Sequence, residues 1–405
     1  MLNRRYFLRS SAIAVAGIGL APEWLIRAAA QTAQTQKRRK ILIAIFQRGA
    51  ADGLNIVVPF FEKTYYDLRP SIAVQPPGKP NGGIDLDGRF AFHPSLQPLK
   101  PLWDSGQLAI VHAAGSPNPS RSHFDAQDYM ESGTPGKISE GGWLNRALPN
   151  VGPGVSPVRA IAMGTQLPRT LRGAQNAVAV NNLDQFQMRN SNAASILESM
   201  YATTPDAALS SSGKETFEAV KFIQDINKGP YTPANGAQYP AAEFGRGLQQ
   251  IARLIKADAG VEAAFVDIGG WDHHTNETPQ LTTLLQQFGS SLAAFSRDMG
   301  DRMADVVLVT MSEFGRTARE DGNGGTDHGH GNVMMVLGGP VRGGKVYGRW
   351  PGLEPEQLYE KRDLAVTTDF RDVLGELVSL HLGQKTEPVF PGYAPGGSLE
   401  LLKTG

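Results

Sequence analysis

The chain has 405 residues, length for one large α/β domain or two ordinary ones, and its 39 basic residues balance 39 acidic ones. A net charge of zero argues against nucleic acid as a partner, because neutralising phosphates needs a basic excess. The absence of cysteine excludes disulfides, iron–sulfur clusters, thiolate catalysis and Cys-ligated zinc, so any metal must be held by His, Asp, Glu, hydroxyl or carbonyl groups.

The N-terminus opens on Asn3-Arg4-Arg5-Tyr6-Phe7-Leu8, a twin-arginine pair followed by two aromatic residues and a leucine. An apolar, small-residue run follows over 12–21, and Ala28-Ala29-Ala30 fits an A-x-A cleavage site. The run is too short to span roughly 30 Å of hydrocarbon as a helix, so residues 1–30 are expected to be a Tat signal peptide and not a stable membrane anchor. The protein is then expected in the periplasm or outside the cell, with the Tat translocase as a partner during export. Losing this segment leaves a slightly acidic mature chain. The Tat route carries folded proteins, often already loaded with metal, which favours a metalloprotein.

Residues 31–405 are expected to form a single domain. Short apolar runs at 41–46, 108–113, 159–163, 177–180, 263–268, 306–310 and 333–337 are bounded by Gly, Pro or polar turns. Runs of this length without interior polar residues suit strands buried on both faces of a largely parallel sheet. Helical spacing of apolar residues predicts helices over 215–226, 246–257, 278–299 and 369–382. Strands alternating with helices predict an α/β three-layer sandwich with a central, mainly parallel sheet.

In such a sheet the loops leaving the carboxyl ends of the strands converge on a ligand crevice, and four segments lie there. Gly49-Ala50-Ala51-Asp52-Gly53-Leu54-Asn55 follows the first strand and surrounds one carboxylate with small residues, a pattern also met in Asp-Gly turns. In Ser120-Arg121-Ser122-His123-Phe124-Asp125-Ala126-Gln127 a serine at a helix start is a natural N-cap, and equally a hydroxyl nucleophile or ligand, with Arg121 suited to an anionic substrate. Gly269-Gly270-Trp271-Asp272-His273-His274 aims a carboxylate and imidazoles from a Gly-Gly loop, a donor set for Zn, Mn or Fe, or Ca with water. The fourth segment runs from Ser312-Glu313-Phe314-Gly315-Arg316-Thr317 to Thr326-Asp327-His328-Gly329-His330-Gly331. Two histidines one glycine apart, preceded by Asp, have little packing value in a loop.

With these motifs the sequence resembles the DUF1501 family, Tat-exported bacterial proteins related to the alkaline phosphatase and sulfatase superfamily. The resemblance runs from Arg48-Gly49-Ala50-Ala51-Asp52-Gly53-Leu54 to Thr368-Asp369-Phe370-Arg371-Asp372-Val373, nearly the whole mature chain. It implies an alkaline phosphatase-like fold with a binuclear divalent metal site (Zn, Mn, Ca or Mg) at the strand ends, which the departures at Phe314 and Trp271 reduce to a one-metal or altered two-metal site. By that resemblance Asp52 is the first carboxylate ligand and Ser122 the nucleophile. Asp272 and His274 share a metal with His328 or His330, and Glu313 stands where the superfamily has the Asp of an Asp-His pair. Phe314 replaces the His of that pair, and Trp271 stands four after Asp267 where a His is usual. Proline in Pro117-Asn118-Pro119-Ser120-Arg121 removes the formylglycine motif of sulfatases.

The function expected is metal-dependent hydrolysis of phosphate or sulfate esters, small or polymeric, using a serine hydroxyl or a bound water. Arg121 or Arg316 would bind the anionic group, and His123, His273 or the histidine not used as a ligand would protonate the leaving group. The alternative is an exported, non-enzymatic binding protein with a structural metal on the same fold. Ser120 and Ser122 remain equal candidates for the hydroxyl that faces the site.

Overall fold

The computed structural model describes residues 39–137, 139–150, 156–183, 222–224 and 229–403. The expected signal peptide at 1–30 lies outside the described residues, as does the predicted helix 215–226 except for its helical residues 222–224.

Seven predicted strands form, several a residue or two longer than their apolar runs: β1 (Ile41–Gln47), β5 (Leu108–Gly115), β6 (Ala160–Met163), β7 (Val178–Val180), β8 (Ala263–Ile268), β9 (Val306–Ser312) and β10 (Asn332–Gly338). Two short strands, β11 (Lys345–Tyr347) and β12 (Thr368–Asp369), add parallel pairing to β5. The nine-stranded sheet has the order β11-β5-β10-β9-β1-β8-β6-β7, with β12 also on β5. β2 (Val57–Val58), β3 (Ile84–Asp85) and β4 (Ala91–Phe92) make a separate small sheet.

Side chains of the central strands alternate between two cores. Ile41, Ile43 and Ile45 of β1 face one core, while Leu42, Ala44 and Phe46 face the other. The first core is closed by α3 (Glu243–Lys256) and α4 (Glu277–Met299), through Leu248, Ile251, Leu285, Phe288 and Phe295. The second is closed by α2 (His123–Ser132) through Met130, and by α5 (Phe370–Glu376) through Phe370, Val373 and Leu374. The architecture is therefore a three-layer α/β sandwich. α3, α4 and α5 each start within a few residues of an expected boundary, and α5 passes into a π-helical turn at Leu377–His381.

One strand decides which loops share an end of the sheet. β1, β5, β6, β8 and β9 run in one direction, whereas β10 is antiparallel to both of its neighbours, β9 and β5. The chain leaving β9 therefore returns into β10 without crossing the sheet, and residues 313–331 all stay at the carboxyl edge. That single reversal brings Glu313 and His328 to the same end as the loops after β1, β5 and β8.

Candidate metal centre

The loops at this edge pack backbone against backbone, which explains their glycines. Gly49 has φ +117°, and a Cβ there would lie 2.7 Å from the Asp272 nitrogen. A Cβ on Gly315 would run into the Gly331 carbonyl. Arg316 fastens these loops together. Its side chain is fully buried and donates to the carbonyls of Ala50, Thr326, Gly49 and Trp271, and to Asp272 Oδ1 at 2.6 Å. Expected to bind an anionic substrate, Arg316 instead spends its donors inside the scaffold.

Three imidazoles converge beside Asp272. His123 Nε2 lies 3.0 Å from His328 Nε2, and His274 Nε2 lies 3.0 Å from the same atom. Asp272 Oδ1 is 3.0 Å from His274 Nε2 and 3.3 Å from His328 Nε2, and Oδ2 is 3.6 Å from His123 Nε2. His123 opens α2, His274 follows β8, and His328 precedes β10. Asp327 stands at the rim, its Oδ1 3.9 Å from His274 Nδ1 and its Oδ2 taken by Arg362 at 2.7 Å.

The second nitrogen of two rings fixes their tautomers. His123 Nδ1 donates to Glu313 Oε1 at 2.8 Å, and His328 Nδ1 donates to the Arg121 carbonyl at 3.0 Å. With both Nδ1 atoms protonated, two neutral rings turn Nε2 lone pairs toward each other across 3.0 Å. Facing lone pairs repel unless a proton or a metal ion lies between them. The protein's own charges polarise the pair. The hydrogen bond to Glu313 raises His123 above the ordinary histidine range against its burial, while burial and the neighbouring His123 lower His328. Burial would raise Asp272, but the Arg316 guanidinium outweighs it and holds the carboxyl below the usual range. Glu313 is buried, which would raise it, but its hydrogen bonds with His123, Gln127 and the Gly49 amide together hold it below the usual range.

The chemistry of this donor set fits a divalent ion. Ligand atoms around tetrahedral zinc sit about 3.3 Å apart, close to the 3.0 Å His123–His328 and His274–His328 spacings, and two triads, His123-Asp272-His328 and His274-Asp327-His328, bring donor atoms close enough to share an ion. The Glu313–His123 contact has the form of the carboxylate that orients a metal-bound histidine from behind.

The other expected residues are placed differently. Glu313 is buried and satisfied: Oε1 accepts from Gly49 N, Gln127 Nε2 and His123 Nδ1, and Oε2 from the Ser312 hydroxyl. It meets the centre through His123 instead of as a ligand. Asp52 is buried against Arg69, with N–O 2.5 Å, and caps α1 (Gly53–Ile56) through the Leu54 amide. Glu277 completes that knot; burial and the adjacent Asp52 raise its carboxyl well above the usual range. Asn55 and Thr326 donate to Glu277 at 2.8 and 3.0 Å. His330 is buried against the Tyr359 ring, with centroids 4.6 Å apart, and burial pushes it down to about 4. His328 is the histidine that joins Asp272 and His274. Ser122 is the N-cap of α2, its hydroxyl accepting from Asp125 N at 3.4 Å. Arg121 pairs through its side chain with Asp363 and Glu360. His273, expected to protonate a leaving group, is buried with Nδ1 unpartnered.

Sequence reasoning did not assign His123 to the ligand set, gave Gln127 no role within its motif, and passed over Glu277. The signal for His123 was its position at the start of a helix following a central strand. Gln127 gave none beyond its place one turn further along that helix.

Among known proteins, a family model described as "Protein of unknown function (DUF1501)" matches residues 39–385. No curated protein matches the sequence. Solved structures similar to this chain include the PH0037 protein from Pyrococcus horikoshii, with TM-score 0.33 and 12% identity, covering 75% of this chain and 87% of that one. An alkaline phosphatase from the Antarctic bacterium TAB5 is similar with TM-score 0.29 and 12% identity, covering 76% and 93%. The PsFucS1 sulfatase from Pseudoalteromonas sp. has TM-score 0.30 and 10% identity, covering 80% and 68%. At such TM-scores these likenesses carry no argument about chemistry.

Proposed function

The chain belongs to the DUF1501 family, and from that premise we propose that it is an exported metal-dependent hydrolase of phosphate or sulfate esters. The observation that carries this reading is the pair of facing Nε2 atoms of His123 and His328, each with its other nitrogen committed as a donor. His123, His274, His328 and Asp272 would hold the ion (Zn, Mn, Ca or Mg). When bound, it would supply Lewis-acid polarisation of an ester oxygen. The remaining work belongs to the chain. Glu313 fixes the His123 ring, the Arg121 carbonyl fixes His328, and Arg316 holds the Asp272 loop at a constant distance from both. Ser122, next to His123, supplies a hydroxyl whose own proton is not used in the cap. Arg121, whose backbone carbonyl bonds His328, carries a partly exposed guanidinium that would receive the anionic group.

Export rests on the twin-arginine motif, with the Tat translocase as the transient partner. Among the described residues no helix is long and apolar enough to cross a membrane. The test is turnover of aryl phosphate, phosphodiester and aryl sulfate by protein shown to be metal-loaded. Activity that needs the metal and falls in His274→Ala supports the reading; no turnover of any of them counts against it. A second reading, a binding protein with a structural ion, draws on Ser122 acting as a helix cap and on Arg316 being buried. It expects chelation to lower the melting temperature while every ester stays intact.

A further inference from the structure

The arginines around the centre are mostly committed. Arg316 is buried in the scaffold, Arg362 donates to Asp327, and Arg48 is held by Asp267 and Glu131. The exposed carboxylates of Asp272, Asp327 and Glu360 would repel an anionic ligand at the mouth. Arg121 is arranged differently. Its Nε and Nη2 donate to Asp363 Oδ2 at 3.1 and 2.6 Å, and Nη2 also donates to Glu360 Oε2 at 2.7 Å. Nη1 donates to no described residue. The Arg121 carbonyl accepts from His328, so the residue is rooted at the centre itself.

The two carboxylates on Arg121 are unlike. The Asp363 side chain is 0% exposed and anchors the guanidinium from below, whereas Glu360 is 53% exposed. Glu360 also sits on a turn in which it and Lys361 have φ of 52° and 57°, the left-handed region that L residues rarely adopt. An exposed pair on a strained turn is the part of this assembly that yields most easily.

We propose that Glu360 is a resident carboxylate occupying, on Arg121, the seat of the ligand's anionic group. A phosphate or sulfate oxyanion takes its place, with Nη1 and Nη2 as the two donors. This deepens the hydrolase reading and rests on it for the class of ligand. Asp363 keeps the guanidinium in position when Glu360 leaves, so the exchange needs no movement of Arg121. The ligand must bring two oxygens to a planar fork, which selects a tetrahedral oxyanion over a neutral ester.

The experiment measures binding of inorganic phosphate by titration calorimetry at fixed ionic strength, using the full chain as wild type, Glu360→Gln, Arg121→Gln and the double variant. Glu360→Gln should bind phosphate about two- to fivefold more tightly, the worth of an exposed pair. Arg121→Gln should bind about tenfold or more weakly, and adding Glu360→Gln to it should change nothing. Unchanged or weaker binding in Glu360→Gln overturns the proposal, as does the same gain without Arg121 or no phosphate binding in any form. Binding is read without turnover, so phosphate bound in this way by a protein that hydrolyses no ester leaves this inference standing and removes the hydrolase reading.

Discussion

Glu313 illustrates how a side chain acts on a centre it does not touch. Its carboxylate collects the Gly49 amide, the Gln127 amide and His123 Nδ1, and so fixes both the tautomer and the tilt of one imidazole. Replacing Glu313 with Gln keeps an acceptor but removes the charge that strengthens the contact. Metal affinity should drop about 10- to 100-fold with little change in fold, measured by competition with a chelator. At this scale the sequence was readable in part. Asp272, His274 and His328 could be found because imidazoles and a carboxylate in glycine-rich loops at strand ends have no packing role. The division of labour could not be read. Whether Arg316 faces a ligand or four carbonyls, and whether His328 or His330 reaches Asp272, depends on where separate loops meet in space.

Among the elements, the strands buried on both faces were legible because their apolar runs have no other use. β11 and β12 were not, because strands of three and two residues borrow their pairing from the edge of β5 and carry no hydrophobic signature. The reversal of β10 was equally invisible, although it decides which loops share an end. Another tertiary feature lies on α4. Asp298 is buried there and accepts from the hydroxyls of Tyr231 and Tyr239, the Ala234 amide and Lys256, fastening residues 231–239 to the helix. Asp298→Ala leaves these donors without their acceptor and should cost about 2–4 kcal/mol in denaturant unfolding. The candidate metal centre is built from other loops, so metal content should be unchanged in the folded variant.

For the whole molecule, buried histidines set an acid limit. His112 and His381 are buried, each donating Nε2 to a carbonyl, and burial pushes each down to about 4. In the unfolded chain they titrate near 6.5, so the unfolded state takes up protons first as the pH falls. Their stabilisation is complete above about pH 6.5 and is lost as the pH falls through about 4, at about 3 kcal/mol for each. The melting temperature should therefore fall across that window. His381→Gln should flatten the slope there, while an identical slope in the variant would remove His381 from the account. At the largest scale the α/β sandwich followed from the alternation of buried strands and amphipathic helices, a pattern that the chain length already allowed.

The central claim is that His123, His274, His328 and Asp272 hold one divalent ion, and elemental analysis of the purified protein tests it most directly. The account predicts about one equivalent of a divalent metal per chain, lost in a folded His123→Ala, His328→Ala double variant. Metal absent from the wild type, or retained in that variant, would contradict it.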